Sequence, residues 1–262
     1  MDSDPFTPKD GYGQVIFAGF IPEFPKIIRL DEHRVLKSSI TDSSETEAMQ
    51  FIAANTTIPV PKVYATRWSD SPTTKSSQIV MEYIPGESLD EAWGKLTHDQ
   101  RMSICHTLRD YLSQLQRLKS KTNRIEAANG GPVTVGLRFP RRGGPFDSEE
   151  AFNDFLVGKR GNEFPSTFRR YARAAMSDGH EIHFAHGDFS PRNIMVDENG
   201  EVKAVLDWER AGWYPEYWDQ NRMLSENPGI RDYYPYLEHI VPFKYVQEVV
   251  AMGYLLRISA DG

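Results

Sequence analysis

The apolar residues of this 262-residue chain follow two different patterns along its length. In the first third they form short runs separated by turn residues, and the segments 25–40 and 78–84 predict strands. Residues 58–64 must be extended, because each of two prolines in this segment disfavours helical backbone in the residue before it. A short helix is predicted over residues 43–56, with apolar residues on one side. This part of the chain is therefore predicted to be rich in strands.

Farther along the chain the apolar residues recur mainly at helical spacing. The segment 97–120 has apolar residues three or four positions apart, and it begins with a threonine and a glutamine spaced as in a capping box. Further helices are predicted near 148–158 and 166–177, and in the last fifty residues, where prolines interrupt them. The segment 120–147 is rich in glycine, proline and arginine and is predicted to be a loop.

The change of pattern places a boundary near residue 85. We expect a small, strand-rich N-terminal lobe over residues 1–85 and a larger helical C-terminal lobe over residues 86–262, so the predicted fold class is α+β. Hydrophobic residues make up 39% of the chain and charged residues 26%, a composition that supports a packed core without disulfide bonds.

Composition and charge argue against several classes of protein. The single cysteine, Cys105, lies on the apolar side of a predicted helix, where we expect it to pack in the core, and it fits a reducing compartment. The formal net charge of −7 argues against a nucleic-acid partner. The polar, acidic N-terminus does not resemble a secretory signal, and no apolar run approaches the length of a membrane span. We therefore expect a cytoplasmic protein with neither a membrane nor a nucleic-acid partner.

Polar residues gather at one end of a predicted hairpin in the C-terminal lobe. Asn199 and Gly200 are a strong signal for a two-residue hairpin turn, and short apolar runs lie on both sides of them. If the turn is centred between these two residues, Asn193 and Asp207 emerge side by side at the open end of the hairpin. Asp188 lies in the loop that leads into it, so three oxygen-bearing side chains are predicted to converge.

Oxygen ligands in this arrangement suit a hard cation such as Mg²⁺, which binds phosphate oxygens together with oxygen atoms of the protein. The spacing of His186, Asp188 and Asn193 resembles a kinase catalytic loop, in which an aspartate orients the attacking hydroxyl group. The alternative is a surface hairpin with ordinary polar turn residues. The agreement of the spacing, the turn and the second aspartate favours phosphoryl transfer.

The segments HGDFSPRN and VLDWERAGWYPEYWD resemble the aminoglycoside phosphotransferase and choline kinase-like family, and in particular phosphotransferase-domain proteins of filamentous fungi. The segments VLK, ETEAMQFIAANTTIPVPKVY, IVMEYIPGESL and GPFDSEEAFNDFL also resemble that group, in the same order, so the resemblance covers nearly the whole chain from about residue 27. It implies a bilobal protein-kinase-like fold with a nucleotide-binding N-terminal lobe, ATP as the donor, Mg²⁺, and a hydroxyl group of a small molecule as the acceptor.

The resemblance also implies roles for residues of the catalytic hairpin. Asp188 matches the catalytic aspartate, and Asn193 and Asp207 match the magnesium ligands. His186 matches the motif histidine, which we expect to brace the loop rather than to react.

In the N-terminal lobe, Lys37 matches the lysine that contacts the nucleotide phosphates. Glu45 matches the glutamate that pairs with this lysine, and Glu47 on the same short helix is an alternative partner. Main-chain groups near Glu82 and Ile84, in the segment that joins the lobes, are implied to bind adenine.

Acidic residues follow the second metal aspartate in a segment dense in aromatic residues. In the family this region borders the acceptor pocket, so we expect a cationic acceptor to contact some of them: Glu209, Glu216 and Asp219. For Glu209, an ion pair with Arg192 or Arg210 is an equal alternative.

One segment departs from the family pattern. The region that matches the phosphate-covering turn, residues 15–28, has one glycine, Gly19, and two prolines, without the G-x-G-x-x-G pattern. This departure favours the alternative of a pseudokinase or binding module that retains the fold without turnover. A protein kinase is disfavoured, because DFG and APE are absent and the loop has HGD rather than HRD.

Two other patterns in the sequence are candidates for sites. His180, His183 and His186 are evenly spaced, but on a strand His183 would point away from the other two, which disfavours zinc binding. The basic segment 138–144 is predicted to be a solvated loop, with substrate or phosphate contact as the alternative.

Overall fold

The computed structural model describes residues 4–18, 26–39, 43–71, 74–136, 140–158, 166–225 and 230–260. The first part of the chain forms one antiparallel sheet whose strands are β1 (Val15–Ala18), β2 (Lys26–Arg29), β3 (Arg34–Ser39), β4 (Val63–Ser71) and β5 (Thr74–Glu82). Their spatial order is β1-β2-β3-β5-β4, and helix α1 (Ser44–Asn55) connects β3 to β4. The strands predicted within 25–40 and 78–84 and the helix predicted over 43–56 are confirmed.

The register of this sheet fixes the position of Lys37. This residue lies within β3, paired with Ile27 on β2 and with Ile79 on β5. Helix α1 buries Met49 and Ile52 in the core that it shares with the sheet. Burying a lysine on an interior strand is costly unless a charged partner lies nearby, so Lys37 requires such a partner.

The turn between β2 and β3 is organised by one carboxylate. Asp31 accepts hydrogen bonds from the backbone N–H of His33 at 2.9 Å and from Nε of Arg34 at 2.8 Å, and Nζ of Lys9 lies 3.3 Å from it. An aspartate that binds the backbone two residues ahead mimics a turn hydrogen bond, which explains the sharp reversal here.

The rest of the chain is mainly helical, with short strands between the helices. The strands are β6 (Glu87–Ser88), β7 (Glu126–Ala127), β8 (Val133–Val135), β9 (Arg141–Gly143), β10 (Ile182–Ala185), β11 (Ile194–Val196), β12 (Val202–Val205) and β13 (Gly212–Pro215). The helices are α2 (Leu89–Ala92), α3 (His98–Arg117), α4 (Glu149–Val157), α5 (Ser166–Ala174), α6 (Trp218–Ser225), α7 (Tyr234–Ile240) and α8 (Val246–Ala260).

The beginning of α3 has the predicted capping box. The side chain of Thr97 accepts a hydrogen bond from the Gln100 backbone N–H at 3.3 Å, and the Gln100 side chain accepts one from the Thr97 N–H at 2.9 Å. Cys105 is fully buried on this helix, as predicted.

The prediction of a loop over 120–147 is wrong in part, because three strands lie within it. β7 pairs with β13, and β8 pairs with β9 in a hairpin. The two-residue strand β7 is too short to be recognised from its own sequence, and it exists because a partner from far along the chain pairs with it.

The hairpin formed by β11 and β12 carries the predicted register only near its open end. Ile194 pairs with Val205, but the register shifts after Met195, so that the turn is longer than the predicted two residues. The side chain of Asp197 causes this change, because it accepts hydrogen bonds from the backbone N–H groups of Asn199 at 3.0 Å and Glu201 at 2.9 Å. The bulge compensates for the longer turn, so the predicted pairing is kept at Ile194 and Val205, next to the site.

A continuous apolar core joins the first and second parts of the chain. Ile52 of α1, Leu108 of α3 and Trp208 after β12 belong to the same buried cluster. The division at residue 85 stays a prediction. No helix within the described ranges is long and apolar enough to cross a membrane.

Candidate active site

The loop between β10 and β11 is shaped by its contacts with the segments on both sides. Gly187 has a φ of 78°, and a Cβ atom there would lie 2.5 Å from the carbonyl oxygen of Arg210. Only glycine permits this conformation and this close approach. Nδ1 of His186 accepts a hydrogen bond from the Asp188 N–H at 3.1 Å, and Nε2 lies 3.0 Å from the carbonyl oxygen of Leu206. The structure thus places His186 inside the loop as a brace.

A buried carboxylate from α6 supports the same loop. Asp219 accepts hydrogen bonds from the backbone N–H groups of His186 at 2.9 Å and Gly187 at 2.8 Å. Burial raises the pKa of Asp219, while His186 and the two N–H groups act in the opposite direction. Asp219 therefore holds the loop from beneath, and its predicted contact with an acceptor is wrong, because both of its oxygens already bind the protein.

Asp188 and Asn193 are fixed relative to each other within this loop. The Asn193 side-chain Nδ2 donates a hydrogen bond to the carbonyl oxygen of Asp188 at 2.9 Å, which directs the amide oxygen away from the loop. Both carboxylate oxygens of Asp188 contact Nη2 of Arg192, at 2.5 and 2.7 Å. The loop therefore presents an amide oxygen and a paired carboxylate to the same space.

Asp207 follows β12 in a left-handed backbone conformation, with a φ of 63°. This conformation is uncommon for a residue other than glycine and is typical of functional sites, where the surrounding structure enforces it. It turns the chain sharply, and the carboxylate of Asp207 approaches Lys37 from the opposite lobe, with Oδ1 2.5 Å from Nζ.

The ammonium group of Lys37 lies among three carboxylates. Glu45 Oε1 is 2.7 Å from Nζ, Asp207 Oδ1 is 2.5 Å away and Glu209 Oε2 is 3.8 Å away. Glu47 instead accepts a hydrogen bond from the Ser43 hydroxyl at 2.7 Å and is exposed. The structure therefore selects Glu45, rather than Glu47, as the partner of Lys37.

These charges shift one another's pKa values. Burial alone would lower the pKa of Lys37, but Asp207, Glu45 and Glu209 raise it, so the ammonium form is secure. Burial raises the pKa of Glu45 despite its ion pair with Lys37, and the nearby carboxylate of Asp207, which also pairs with Lys37, adds to the increase. Burial and the neighbouring Asp207 raise the pKa of Glu209 to about 7. For Asp207, Lys37 outweighs the effect of burial and holds the pKa below its usual range.

A cavity of about 690 Å³ lies between the sheet and the catalytic loop. Its lining residues are Phe17, Ile27, Lys37, Glu45, Met49, Pro61, Met81, Asp188, Arg192, Asn193, Leu206, Asp207, Glu209 and Arg210. One part of this lining is apolar, which suits a flat organic ring, and the other carries charges, which suit polar groups such as phosphates.

The acidic residues predicted at the acceptor pocket do not lie together. Glu209 lines the cavity beside Lys37, and its Oε1 is 3.8 Å from Nε of Arg210, so the ion-pair alternative describes its surroundings better. Glu216 contacts Lys244 at 3.3 Å and accepts a hydrogen bond from the hydroxyl of Tyr245, away from the residues that line the cavity.

The segment that joins the lobes lies at the edge of this site. Glu82 ends β5, and its side chain accepts a hydrogen bond from the Lys62 N–H at 3.1 Å. Ile84 follows two residues later, three positions after the cavity residue Met81. The turn that contains Gly19 lies outside the described residues.

Three features of the site were missed in the sequence. Arg192 is four residues after Asp188, a spacing that was available as a signal for an ion pair. Arg210 lines the cavity and donates a hydrogen bond to the Gly136 carbonyl at 2.8 Å. The role of Asp219 had no local signal, because its partners are more than thirty residues away.

The histidine trio does not form a metal site. His180 lies 2.8 Å from Glu149 and 3.4 Å from Glu248, whereas His183 contacts Gln116. Within the described ranges, the acidic residues close enough together to hold a metal ion are Glu45, Asp207 and Glu209.

The sequence profile of the phosphotransferase enzyme family matches residues 26–238, which include every charged residue that lines the cavity. This chain belongs to the phosphotransferase enzyme family. The predicted family and the predicted enzyme class of phosphotransferase are confirmed.

Solved structures share the fold of this phosphotransferase. An aminoglycoside-3'-phosphotransferase of type VIII matches with a TM-score of 0.61 and 16% identity, over 94% of this chain and 93% of the other. A GDP and kanamycin complex of APH(2")-IIia matches with a TM-score of 0.65 and 12% identity, over 95% and 84% of the two chains. These matches confirm the bilobal protein-kinase-like fold of the α+β class.

A curated relative is the uncharacterized protein YcbJ of Bacillus subtilis (strain 168), which is 24% identical over 207 residues. The matched region covers 76% of this phosphotransferase and 62% of the relative, so the chain spans less than two thirds of that relative's length.

Proposed function

We propose that this phosphotransferase transfers the γ-phosphoryl group of ATP, with Mg²⁺, to a hydroxyl group of a small molecule. The observation that carries the proposal is the convergence of Lys37, Asp188, Asn193 and Asp207 on one cavity. These residues come from a strand of the N-terminal sheet, from the open end of a distant hairpin and from the loop that leads into it. Phosphoryl transfer depends mainly on positioning and charge neutralisation, and this set of groups supplies both.

The apolar part of the cavity suits the nucleotide base. Ile27, Met81 and Leu206 line it, and the backbone N–H of Ile84 has no acceptor among the described residues. We therefore propose that adenine lies between these side chains and binds main-chain groups of Glu82 and Ile84. Nucleotide complexes among the structural relatives, one with GDP and one of APH(4)-Ia with AMP-PNP and hygromycin B, support a nucleotide in this cleft. The latter matches this chain with a TM-score of 0.62.

The donor set at the polar end fits a magnesium ion. Asp207 offers a carboxylate, and the amide oxygen of Asn193 faces away from its own loop because Nδ2 is bound to Asp188. Hard oxygen donors of this kind are the ligands that Mg²⁺ uses together with phosphate oxygens. When bound, Mg²⁺ neutralises charge on the phosphates, and Lys37 adds a fixed positive charge beside them.

Asp188 is positioned to orient the acceptor. Its carboxylate lines the cavity, so that an acceptor hydroxyl within hydrogen-bond reach of it faces the donor phosphates. In the transfer, the hydroxyl oxygen forms a bond to the γ-phosphorus, and the bond from that phosphorus to the β,γ-bridging oxygen breaks. The electron pair of the broken bond leaves with ADP, and the hydroxyl proton passes to Asp188.

The charge of the acceptor is a separate question. Kanamycin and hygromycin B are bound in two of the related structures, but these relatives are only 12% and 13% identical to this chain. The cationic acceptor predicted here depended on three carboxylates, and two of them bind other parts of the protein. The third, Glu209, lies beside Lys37. The predicted cytoplasmic location and the lack of nucleic-acid or membrane partners stay predictions.

The proposal is tested by incubating the protein with ATP, Mg²⁺ and a library of aminoalcohols, sugars and secondary metabolites. We expect ADP to form only with the true acceptor, together with a product whose mass is increased by one phosphoryl group. Asp188→Asn should bind ATP and Mg²⁺ normally but form no product. If the wild-type protein binds ATP and Mg²⁺ and produces nothing with any compound, the binding-module alternative describes it better.

A further inference from the structure

The ring of Phe51 joins helix α1 to two strands of the C-terminal part of the chain. Its centroid lies 4.9 Å from that of Phe184 in β10 and 5.5 Å from that of Trp213 in β13. Phe184 and Trp213 also contact each other edge to face, at 5.2 Å. Aromatic pairs at such distances attract one another in addition to their hydrophobic burial. Phe51, Phe184 and Trp213 thus form an aromatic cluster in which each ring contacts the other two.

The two strands in this cluster lie on either side of the catalytic loop. Phe184 and Trp213 are directly opposite each other in the antiparallel pair of β10 and β13. Phe184 stands two residues before His186, the brace of the loop. The carbonyl of Arg210, three residues before Trp213, packs against Gly187 of the same loop. The positions of these two rings are therefore fixed together with the loop.

Helix α1 connects Phe51 with the donor side of the site. Glu45 lies in the first turn of this helix and Phe51 six residues later, about 9 Å farther along the axis. Ile52, the neighbour of Phe51, is fully buried in the core, whereas Phe51 is half-buried. A helix held at Phe51 limits where Glu45 can lie, and Phe51 can be changed without opening the centre of the core.

The ion pair of Glu45 gives α1 little net attraction toward the sheet. Glu45 Oε1 lies 2.7 Å from Nζ of Lys37, but Oε2 is buried without a hydrogen-bond partner in the part of the chain that the structure describes. Burial raises the pKa of this carboxyl group, so its ionised form is costly to bury. A buried ion pair often gains no more than its desolvation costs. Packing elsewhere on α1 is therefore needed to hold the helix in place.

We infer that Phe51 is a positioning residue of the donor site: its packing on Phe184 and Trp213 holds α1 so that Glu45 faces Lys37 before any nucleotide is bound. The inference rests on the proposed function only where it takes Lys37 to lie beside the donor phosphates. The same packing ties the pair of Lys37 and Glu45 to the strands on either side of the catalytic loop. A site assembled in this way accepts its donor without a movement of α1, because the charged groups already have their positions.

The first test measures the exposure of Lys37 in the nucleotide-free protein. Amines are labelled by reductive methylation and the products are quantified by mass spectrometry, with the exposed Lys62 as the internal reference. In the wild-type protein Lys37, whose side chain is 4% exposed, should be labelled slowly. Phe51→Ala removes the ring, and we expect it to raise the labelling rate of Lys37 about tenfold relative to Lys62, because α1 opens locally more often.

Two further variants separate positioning from packing in general. Phe51→Leu keeps an apolar side chain but loses the ring contacts, so it should raise the labelling rate of Lys37 about threefold. If Phe51→Ala does not fold, Phe51→Leu takes its place in both tests. Tyr236→Ala is the matched control, because Tyr236 is also a half-buried aromatic residue of the same core, and its described ring contacts, with Trp93, His98 and His239, do not involve α1. It should leave the labelling of Lys37 unchanged.

The second test asks whether Phe51 acts through Glu45. The dissociation constant for ATP with Mg²⁺ is measured by calorimetry for the wild type, Phe51→Ala, Glu45→Gln and the double variant. We expect Phe51→Ala to weaken binding about fivefold when Glu45 is present, and to have no further effect when Glu45→Gln is already in place. A ring that only stabilised the fold would have the same effect in both backgrounds.

The inference is overturned if the folded Phe51 variants label Lys37 at the wild-type rate. It is also overturned if Tyr236→Ala exposes Lys37 as much as Phe51→Ala does, or if the effects of Phe51→Ala and Glu45→Gln on ATP affinity multiply. If Lys37 is exposed only by the Phe51 variants while the wild-type protein binds no nucleotide, the inference stands and the proposed function fails.

Discussion

Lys37 shows how single charges define this site. Its side chain is 4% exposed, and its ammonium group is stabilised by carboxylates from both lobes. If ATP binds in this cavity as proposed, its phosphates bring further negative charge beside Lys37, and Glu45 would hold the lysine from the other side. Lys37 and Glu45 should therefore act as a unit in binding the donor.

We expect Lys37→Met to lower kcat/KM for ATP about 100-fold, and Glu45→Gln to lower it about tenfold, because the amide no longer fixes the lysine. Glu47→Gln is the matched control, since it lies on the same helix and bonds only to Ser43 among the contacts described. Steady-state kinetics with a fixed acceptor concentration measure all three. A silent Glu45→Gln together with a damaging Glu47→Gln would reverse the assignment of the partner.

Asp207 and Asn193 should contribute unequally to metal binding. A carboxylate brings a full charge to Mg²⁺, whereas an amide brings only a dipole. We expect Asp207→Ala to abolish the Mg²⁺-dependent part of ATP binding and Asn193→Ala to weaken it about tenfold or less. Calorimetric titration of ATP with and without Mg²⁺ measures this difference. An unchanged metal dependence in Asp207→Ala would show that the ion is held elsewhere.

At the scale of elements, long-range hydrogen bonds hold the catalytic loop in place. Asp219 lies near the beginning of α6, and it receives two backbone N–H groups from the loop that follows β10. Helix α6 is therefore coupled directly to the residues that flank Asp188.

Asp219→Ala should destabilise the fold by about 2–4 kcal/mol, because it leaves two buried N–H groups without acceptors. Denaturant unfolding monitored by circular dichroism measures the loss. Glu216→Gln is the control for a nearby acidic residue outside the loop, and we expect it to cost less than about 1 kcal/mol. Equal losses in the two variants would mean that Asp219 does not support the loop.

The turn between β2 and β3 should give a pH-dependent contribution to stability. Burial raises the pKa of Asp31, but the His33 N–H, Arg34 and Lys9 outweigh it and lower the pKa from 3.8 to about 2. A pKa below the unfolded value means that the ionised carboxylate stabilises the fold above about pH 4, and that this stability is lost as the pH falls through about 2.

We therefore expect Asp31→Asn to destabilise the protein by about 1 kcal/mol at pH 7, a value reduced from the full shift to allow for solvent screening. The difference from the wild type should disappear near pH 2. Unfolding free energies measured between pH 2 and 7 give the comparison, with Glu32→Gln as an exposed control in the same turn. A difference that does not depend on pH would show that the carboxylate charge is unimportant.

At the scale of the whole molecule, the cavity connects two parts of one core. Its lining comes from the N-terminal sheet, from α1 and from the catalytic hairpin, and a ligand bound there contacts all three. A ligand that binds only the folded state stabilises it by RT ln(1 + [L]/Kd), where [L] is the free ligand concentration.

ATP with Mg²⁺ at 100 times its dissociation constant should add about 2.7 kcal/mol and raise the Tm by roughly 5–10 °C. Differential scanning calorimetry measures the shift, and Asp207→Ala should lose most of it. A shift of the same size in Asp207→Ala would mean that the nucleotide binds outside this cavity.

The sequence by itself determined the local parts of this protein. The strands around Lys37, the helix that carries Glu45 and the capping box of α3 follow from residue type and spacing over a few positions. Even the meeting of Asn193 with the end of β12 was predicted, because the two strands of a hairpin are linked by one turn. The resemblance to a known family then assigned roles to these residues, and the family was confirmed.

Only the tertiary structure decided which of the distant charges meet. Asp219 and Glu216 stand in one acidic segment with Glu209, but the first lies under the catalytic loop, the second binds Lys244 and the third faces Lys37. Likewise, β7 exists because β13 pairs with it. The physical reason is that hydrogen bonds and ion pairs depend on distance in space, and for residues far apart in the chain that distance is set by packing of the core.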